Sequence, residues 1–128
     1  MPLVVVLISA TLSFGQTTVD EAYIQKELST ARAYTIVLYK KGPNPAGPDL
    51  KAMQMNHLKY LFTLKEQGKI SVFGPLTDNG DIRGIGIFNL TDVKEVEKLL
   101  NDDELVKSGH MIYEIHPWFG VPGQSLAK

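Results

Sequence analysis

Six stretches of contrasting periodicity run through this chain in the order strand, helix, strand, strand, helix, strand, and glycine- and proline-rich breaks separate them. The first is Ala33 to Lys40, dense in β-branched and aromatic residues and stopped by the breaker cluster from Lys41 to Pro48. From Asp49 to Gln67 the apolar positions Leu50, Met53, His57, Leu61 and Leu64 recur at helical steps, with Asp49 placed as an N-cap and Gly68 as a terminator. Ile70 to Phe73 is a short strand closed by Gly74-Pro75. Asp78-Asn79-Gly80 is turn chemistry, and Ile82 to Asn89 forms the second arm of a hairpin. Thr91 is placed to cap a helix from Asp92 to Leu100, and a further helical turn covers Asp103 to Lys107, ending at Gly109. His110 to His116 is the last strand, which Pro117 is expected to stop.

The order βαββαβ is that of an α+β, ferredoxin-like fold, an antiparallel four-stranded sheet with two helices on one face. Two helices cover only one face, yet the first strand is apolar on both sides, Tyr34, Ile36 and Leu38 on one and Ala33, Val37 and Tyr39 on the other. The uncovered face therefore predicts a homodimer through the open side of the sheet.

Every charged side chain lies from Asp20 onward, so Pro2 to Gly15 is apolar or small throughout. The run is shorter than the roughly 20 residues of a membrane span, and it reads as a signal peptide, residues 1–15, cut ahead of Gln16. That predicts a periplasmic or secreted protein with no membrane contact after cleavage. The alternative is a cytoplasmic protein in which Leu3 to Ile8 form an extra buried strand. Residues 16–32, with a weak helical pattern from Thr17, form an N-terminal extension, residues 33–119 the folded domain, and residues 120–128 an irregular tail.

Thirteen basic against fourteen acidic side chains leave a net charge of -1, which provides no field for a nucleic-acid backbone. The absence of cysteine excludes disulfides, thiolate metal sites and cysteine nucleophiles. Chemistry must then run on histidine, carboxylates, tyrosine, serine or backbone. His110 and His116, six residues apart on one strand, stand roughly 20 Å apart at about 3.3 Å per residue and cannot share a metal. His57 lies on the apolar stripe of the first helix, where a lone histidine is ordinarily a core residue. Asp102-Asp103-Glu104 lie at a helix N-terminus, where capping is the ordinary role and orientation of a histidine the sharper one. Gly84 and Gly86 share one face of their strand and leave room for a ligand, a close partner backbone or a large neighbour such as Tyr39 or Tyr113, of which close packing is the ordinary case. Arg83 is expected on the opposite face, where it pairs at the surface or binds an anion.

His57-Leu58-Lys59-Tyr60-Leu61, Gly68-Lys69-Ile70, Gly74-Pro75, Asp103-Glu104-Leu105-Val106-Lys107-Ser108-Gly109 and Ile115-His116-Pro117-Trp118 together resemble the YCII-related (YciI-like) family. Its pattern is H-x-x-x-L on a helix, a strand ending in G-P, and D-P-(F/Y)-V-x-x-G entering the last strand. The resemblance implies a dimeric α/β barrel with a cofactor-free and metal-free site between helix and sheet. It also implies a catalytic pair formed by His57 and Asp103. Arg83 and Tyr39 are the substrate-binding candidates on the reading of the strands themselves. The chain departs from the pattern at Glu104, where the family has proline, and at Met53-Gln54-Met55-Asn56, which replaces the usual approach to the histidine. The expected function is acid/base chemistry of lyase or isomerase type on a small organic molecule. The rivals are a non-catalytic small-molecule-binding or accessory protein and a cofactor-free monooxygenase.

Overall fold

The computed structural model describes residues 1–9 and 17–128. The elements are α1 (Glu21–Leu28), β1 (Arg32–Lys41), α2 (Leu50–Glu66), β2 (Ile70–Pro75), β3 (Ile82–Phe88), α3 (Val93–Asn101), α4 (Glu104–Lys107) and β4 (Met111–Gly120). The strands form one antiparallel sheet in the order β2-β3-β1-β4, which is the ferredoxin-like arrangement. Its two central strands, β1 and β3, hold more buried positions than the edge strands β2 and β4, as a sheet covered on its helix side requires.

One face of the sheet carries the core. Val37 and Tyr39 of β1, Ile70 and Phe88 meet Leu61 and Leu64 of α2 and Val96 and Leu100 of α3. Burial of these side chains stabilises the fold by roughly 1.5–3 kcal/mol each. The two long helices are also tied by a hydrogen bond, since the Tyr60 hydroxyl donates to the carbonyl of Leu99 at 2.7 Å. Glycines end α2 and α4 as expected: Gly68 and Gly109 have φ of 72° and 76°, a conformation that costs a side-chain-bearing residue dearly. The room left by Gly86 is filled by Ile70, Phe88 and Tyr39, so close packing occupies it.

Three local expectations are corrected. Pro117 does not stop the last strand, which runs on to Gly120 with Pro117 opposite Thr35. β4 is an edge strand, so a residue without an N–H is tolerated on its outward side. The cap of α3 is Asp92, whose carboxylate accepts from the Lys94 N–H at 3.0 Å, and Thr91 stands one residue outside. Asp49 occupies the N-cap of α2 but its side chain accepts no capping bond.

Among the described residues no helix covers the other face of the sheet. Ile85, Ile112 and Trp118 are exposed there, around a polar centre in which Lys40 contacts Glu114 at 3.1 Å and Asp81 at 3.2 Å. Leu3 to Ile8 are exposed and form no strand. The expected cleavage point between Gly15 and Gln16 lies outside the described residues. Among the described residues no helix is long and apolar enough to cross a membrane.

Candidate active site

His57 sits in the middle of α2 on the stripe that faces the sheet, and its side chain is 14% exposed. Asp103 lies between α3 and α4 with its side chain 1% exposed. The two meet: His57 Nδ1 is 2.5 Å from Asp103 Oδ2. The other oxygen, Oδ1, accepts from the backbone N–H of Leu105 at 3.0 Å and caps α4. The capping role and the orienting role thus belong to the same carboxylate, one to each oxygen.

This arrangement selects the tautomer of the imidazole. An ionised carboxylate can only accept, so Nδ1 carries a proton and donates, and in the neutral tautomer that this selects Nε2 keeps its lone pair. The imidazole is also held from the sheet by Tyr39, whose ring stands edge-on to it at a centroid distance of 5.8 Å. The Tyr39 hydroxyl is buried and has no hydrogen-bond partner among the described residues. Burial first, and then the negative charge of Asp103, push its pKa far above the ordinary 10. Tyr39 therefore stays neutral at any physiological pH. Tyr60, behind the pair, is raised to about 12 by burial and by Asp102 and Asp103.

His57 opens on a cavity of about 870 Å³ between α2, the β1–α2 loop and the end of the hairpin. Leu58, Leu61, Phe62 and Phe73 give it apolar walls, with Phe62 and Phe73 packed edge to face at 5.0 Å. Tyr39 and Arg83 both line it, so all four residues expected from sequence are at this site or directly behind it.

The expected orientation of Arg83 is corrected. Tyr39 pairs with Gly84 and Lys40 with Ile82, so Arg83 is the unpaired residue of a β-bulge. A bulge breaks strict alternation and re-aims the side chain, and here Arg83 joins Gly84 and Tyr39 along the cavity. His110 and His116 do not share a face. His110 precedes β4 and lines the cavity, with Nδ1 3.2 Å from the Asn44 carbonyl oxygen, whereas His116 lies on the open face against Glu114.

Sequence reasoning missed Lys41 and the Phe62–Phe73 wall, both of which line the cavity. Lys41 stands at the start of a breaker-rich loop with no local signal of its direction. The two departures from the family pattern meet each other: Asn56 Nδ2 donates to Glu104 Oε2 at 2.7 Å, one residue along from His57 and Asp103. Glu104 is thereby engaged by Asn56. A second rung thus joins α2 to α4 beside the first. Among the described residues no three His, Asp or Glu side chains converge on a common metal position.

A ferredoxin-like sheet with a buried His–carboxylate pair behind a cavity between helix and sheet places the chain among small α+β domains of one kind. Residues 33–119 match the YCII-related domain, and the chain belongs to that family. A solved structure similar to the chain is 5-chloro-2-hydroxyhydroquinone dehydrochlorinase (TftG) from Burkholderia phenoliruptrix AC1100, in complex with 2,5-dihydroxybenzoquinone. It shares 26% identity over 66% of this chain and 92% of that one, with a TM-score of 0.46. No curated protein sequence matches the chain.

Proposed function

We propose that the protein is a cofactor-independent enzyme of lyase or isomerase type in which His57, oriented by Asp103, moves a proton on a small organic molecule. The observation that carries this reading is the double engagement of Asp103. One oxygen is fixed by the Leu105 N–H and the other by His57 Nδ1–H, so Nε2 stands as the proton acceptor of a ring that cannot change tautomer cheaply. Apolar side chains line the cavity beside the imidazole, and the Tyr39 ring packs edge-on against it. After accepting a proton Nε2 becomes a donor, and the carboxylate of Asp103 stabilises the imidazolium.

The test is deuterium exchange into the acidic C–H positions of a panel of small enolisable ketones, lactones and phenols, followed by NMR. His57→Gln and Asp103→Asn should abolish any exchange that the wild type catalyses while the melting temperature stays near that of the wild type. Catalysis undiminished in both variants, or a loss of folding without any catalysed exchange in the wild type, favours the non-catalytic binding protein.

The same reading includes a homodimer through the open face, supported by the exposed Ile85, Ile112 and Trp118. Sedimentation at micromolar concentration should give a dimer that Ile112→Lys dissociates, and a wild-type monomer overturns it. Export of the chain is part of the proposal as well, supported by the apolar composition of the N-terminal run and by Leu3 to Ile8, which join no sheet. N-terminal sequencing from the native host should begin near Gln16, and a cytosolic protein that keeps Met1 overturns it.

A further inference from the structure

The charges around the cavity are one-sided. The chain as a whole is balanced, thirteen basic side chains against fourteen acidic, yet the ionised side chains that line the cavity are Lys41 and Arg83 and, among the described residues, no Asp or Glu, since Asp103 lies behind His57. The contrast with the adjacent residue is direct. Lys40 points to the open face and is neutralised there by both Glu114 and Asp81. Lys41 and Arg83 take part in no ion pair among the described residues, and the Arg83 guanidinium has only a long contact from Nη1 to the Gly80 carbonyl at 3.5 Å. Two permanent cations at an apolar cavity, with no counter-charge of their own, attract an anion from solution.

The backbone adds a second observation. Arg83 reaches the cavity because the ladder skips it: the bulge between the Tyr39–Gly84 and Lys40–Ile82 pairs frees this one residue from alternation. Opposite it, the backbone N–H of Lys41 is tied to the Asp81 carbonyl at 3.1 Å, which sets the two cationic residues on neighbouring strands at the same end of the sheet. A guanidinium offers two parallel N–H donors to a carboxylate, and an ammonium adds a point charge beside it. The interior beyond them is lined by the edge-to-face pair Phe62 and Phe73, which suits a flat apolar body.

We infer that the cavity takes a small planar carboxylate, its ring between the aromatic wall and His57 and its carboxylate on Arg83 and Lys41. This rests on the reading of the cavity as the substrate site, and it names the substrate class. The carboxylate anchors one end of the molecule, so the imidazole Nε2 meets a C–H or O–H at a fixed remove from it, which is how binding at a remote group orients a proton transfer.

The test is calorimetric titration of the full chain with benzoate, with the neutral isostere benzamide and with 4-nitrophenolate. Wild type should bind benzoate about 10-fold or more tighter than benzamide, the discrimination expected of a charge-assisted contact. Added salt should weaken benzoate and leave benzamide unchanged. Arg83→Gln and Lys41→Gln should each weaken benzoate by about 10-fold and leave benzamide unchanged, and both variants should fold, since neither side chain is buried or paired. Equal binding of benzoate and benzamide, failure of wild type to bind benzoate, or no effect of either variant overturns the inference. Tighter binding of 4-nitrophenolate than of benzoate overturns the carboxylate and assigns the anion to an ionised hydroxyl. The two readings fail separately. Benzoate preference with exchange rates indifferent to His57→Gln leaves the anion site standing and removes the acid/base mechanism. Loss of exchange in His57→Gln with benzoate and benzamide bound alike does the reverse.

Discussion

The molecule holds two histidine–carboxylate pairs of similar composition on opposite faces of one sheet. His57 and Asp103 are 14% and 1% exposed and 2.5 Å apart, while His116 and Glu114 are 53% and 44% exposed and 3.1 Å apart. The first pair spans two elements distant in sequence and is anchored at its carboxylate by a helix cap. The second joins residues i and i+2 along one strand and shares its carboxylate with Lys40. Chemical type therefore does not distinguish a site from a surface contact. What distinguishes them is that burial removes water as a competing partner and the cap removes the carboxylate's freedom to turn, so that one tautomer of the imidazole is selected.

The largest expected difference between the pairs is in turnover. In Asp103→Asn the side-chain oxygen continues to cap α4, so the amide N–H₂ faces His57 and the ring must accept at Nδ1 and carry its proton on Nε2. A wrong tautomer of this kind costs about 10⁴-fold in the serine-protease triad, and a loss of that order is expected here. Glu114→Gln, on the far face, should leave turnover unchanged. Nitrogen-15 chemical shifts of His57 in wild type and Asp103→Asn report the tautomer directly, and an unchanged pattern breaks the comparison.

Stability should separate the pairs next. Asp103→Ala removes a helix cap and a charge-assisted hydrogen bond together, an expected loss of about 2–4 kcal/mol by denaturant titration. Glu114→Ala should shift the unfolding midpoint little, since exposed pairs contribute little to stability. Equal shifts for the two variants would show that burial is not the deciding variable.

A smaller effect of opposite sign is expected at Tyr39. Its hydroxyl is buried without a partner among the described residues, so Tyr39→Phe removes an unsatisfied group and keeps the ring against His57. The variant should be as stable as wild type or more stable by up to about 1 kcal/mol, measured by thermal melting. A marked loss of stability would mean that the hydroxyl has a partner in solution, and would sharpen the description of the ground behind the buried pair.

The smallest effect is the acid limb of the exposed pair. The hydrogen bond from His116 first, and then the ammonium of Lys40, hold the Glu114 carboxyl below its ordinary 4.5. Its folded pKa is depressed, so its contribution to stability is present above the unfolded value and fades as pH falls through the folded one. Glu114→Gln should therefore narrow the stability difference between neutral and acidic solution only slightly, and high salt should erase that difference. A large effect would place Glu114 in an interface that covers the open face.

Much of the fold was legible because its signals are local. Gly68 and Gly109 stop helices by a conformation that glycine adopts freely, and the β-branched run of β1 and the spaced leucines of α2 each declare an element without reference to the rest. Pro117 misled because its effect depends on position within the sheet. Only an edge strand tolerates it, and edge or centre is a property of four strands together. Arg83 misled for the same reason, since a bulge exists only relative to a partner strand.

By itself, then, the sequence determined the order and kind of the elements, the apolar stripe that turns His57 toward the sheet, and Asp103 at the start of a helical turn. These depend on periodicity and on bonds between near neighbours along the chain. The tertiary structure alone decided that two residues 46 apart share one hydrogen bond, that Asp103 divides its oxygens between a cap and an imidazole, and that Arg83 and Lys41 stand at the same cavity while Lys40 is spent on the opposite face. Those outcomes follow from how the sheet closes against its helices, and contact across a fold is set by that closure, not by spacing along the chain.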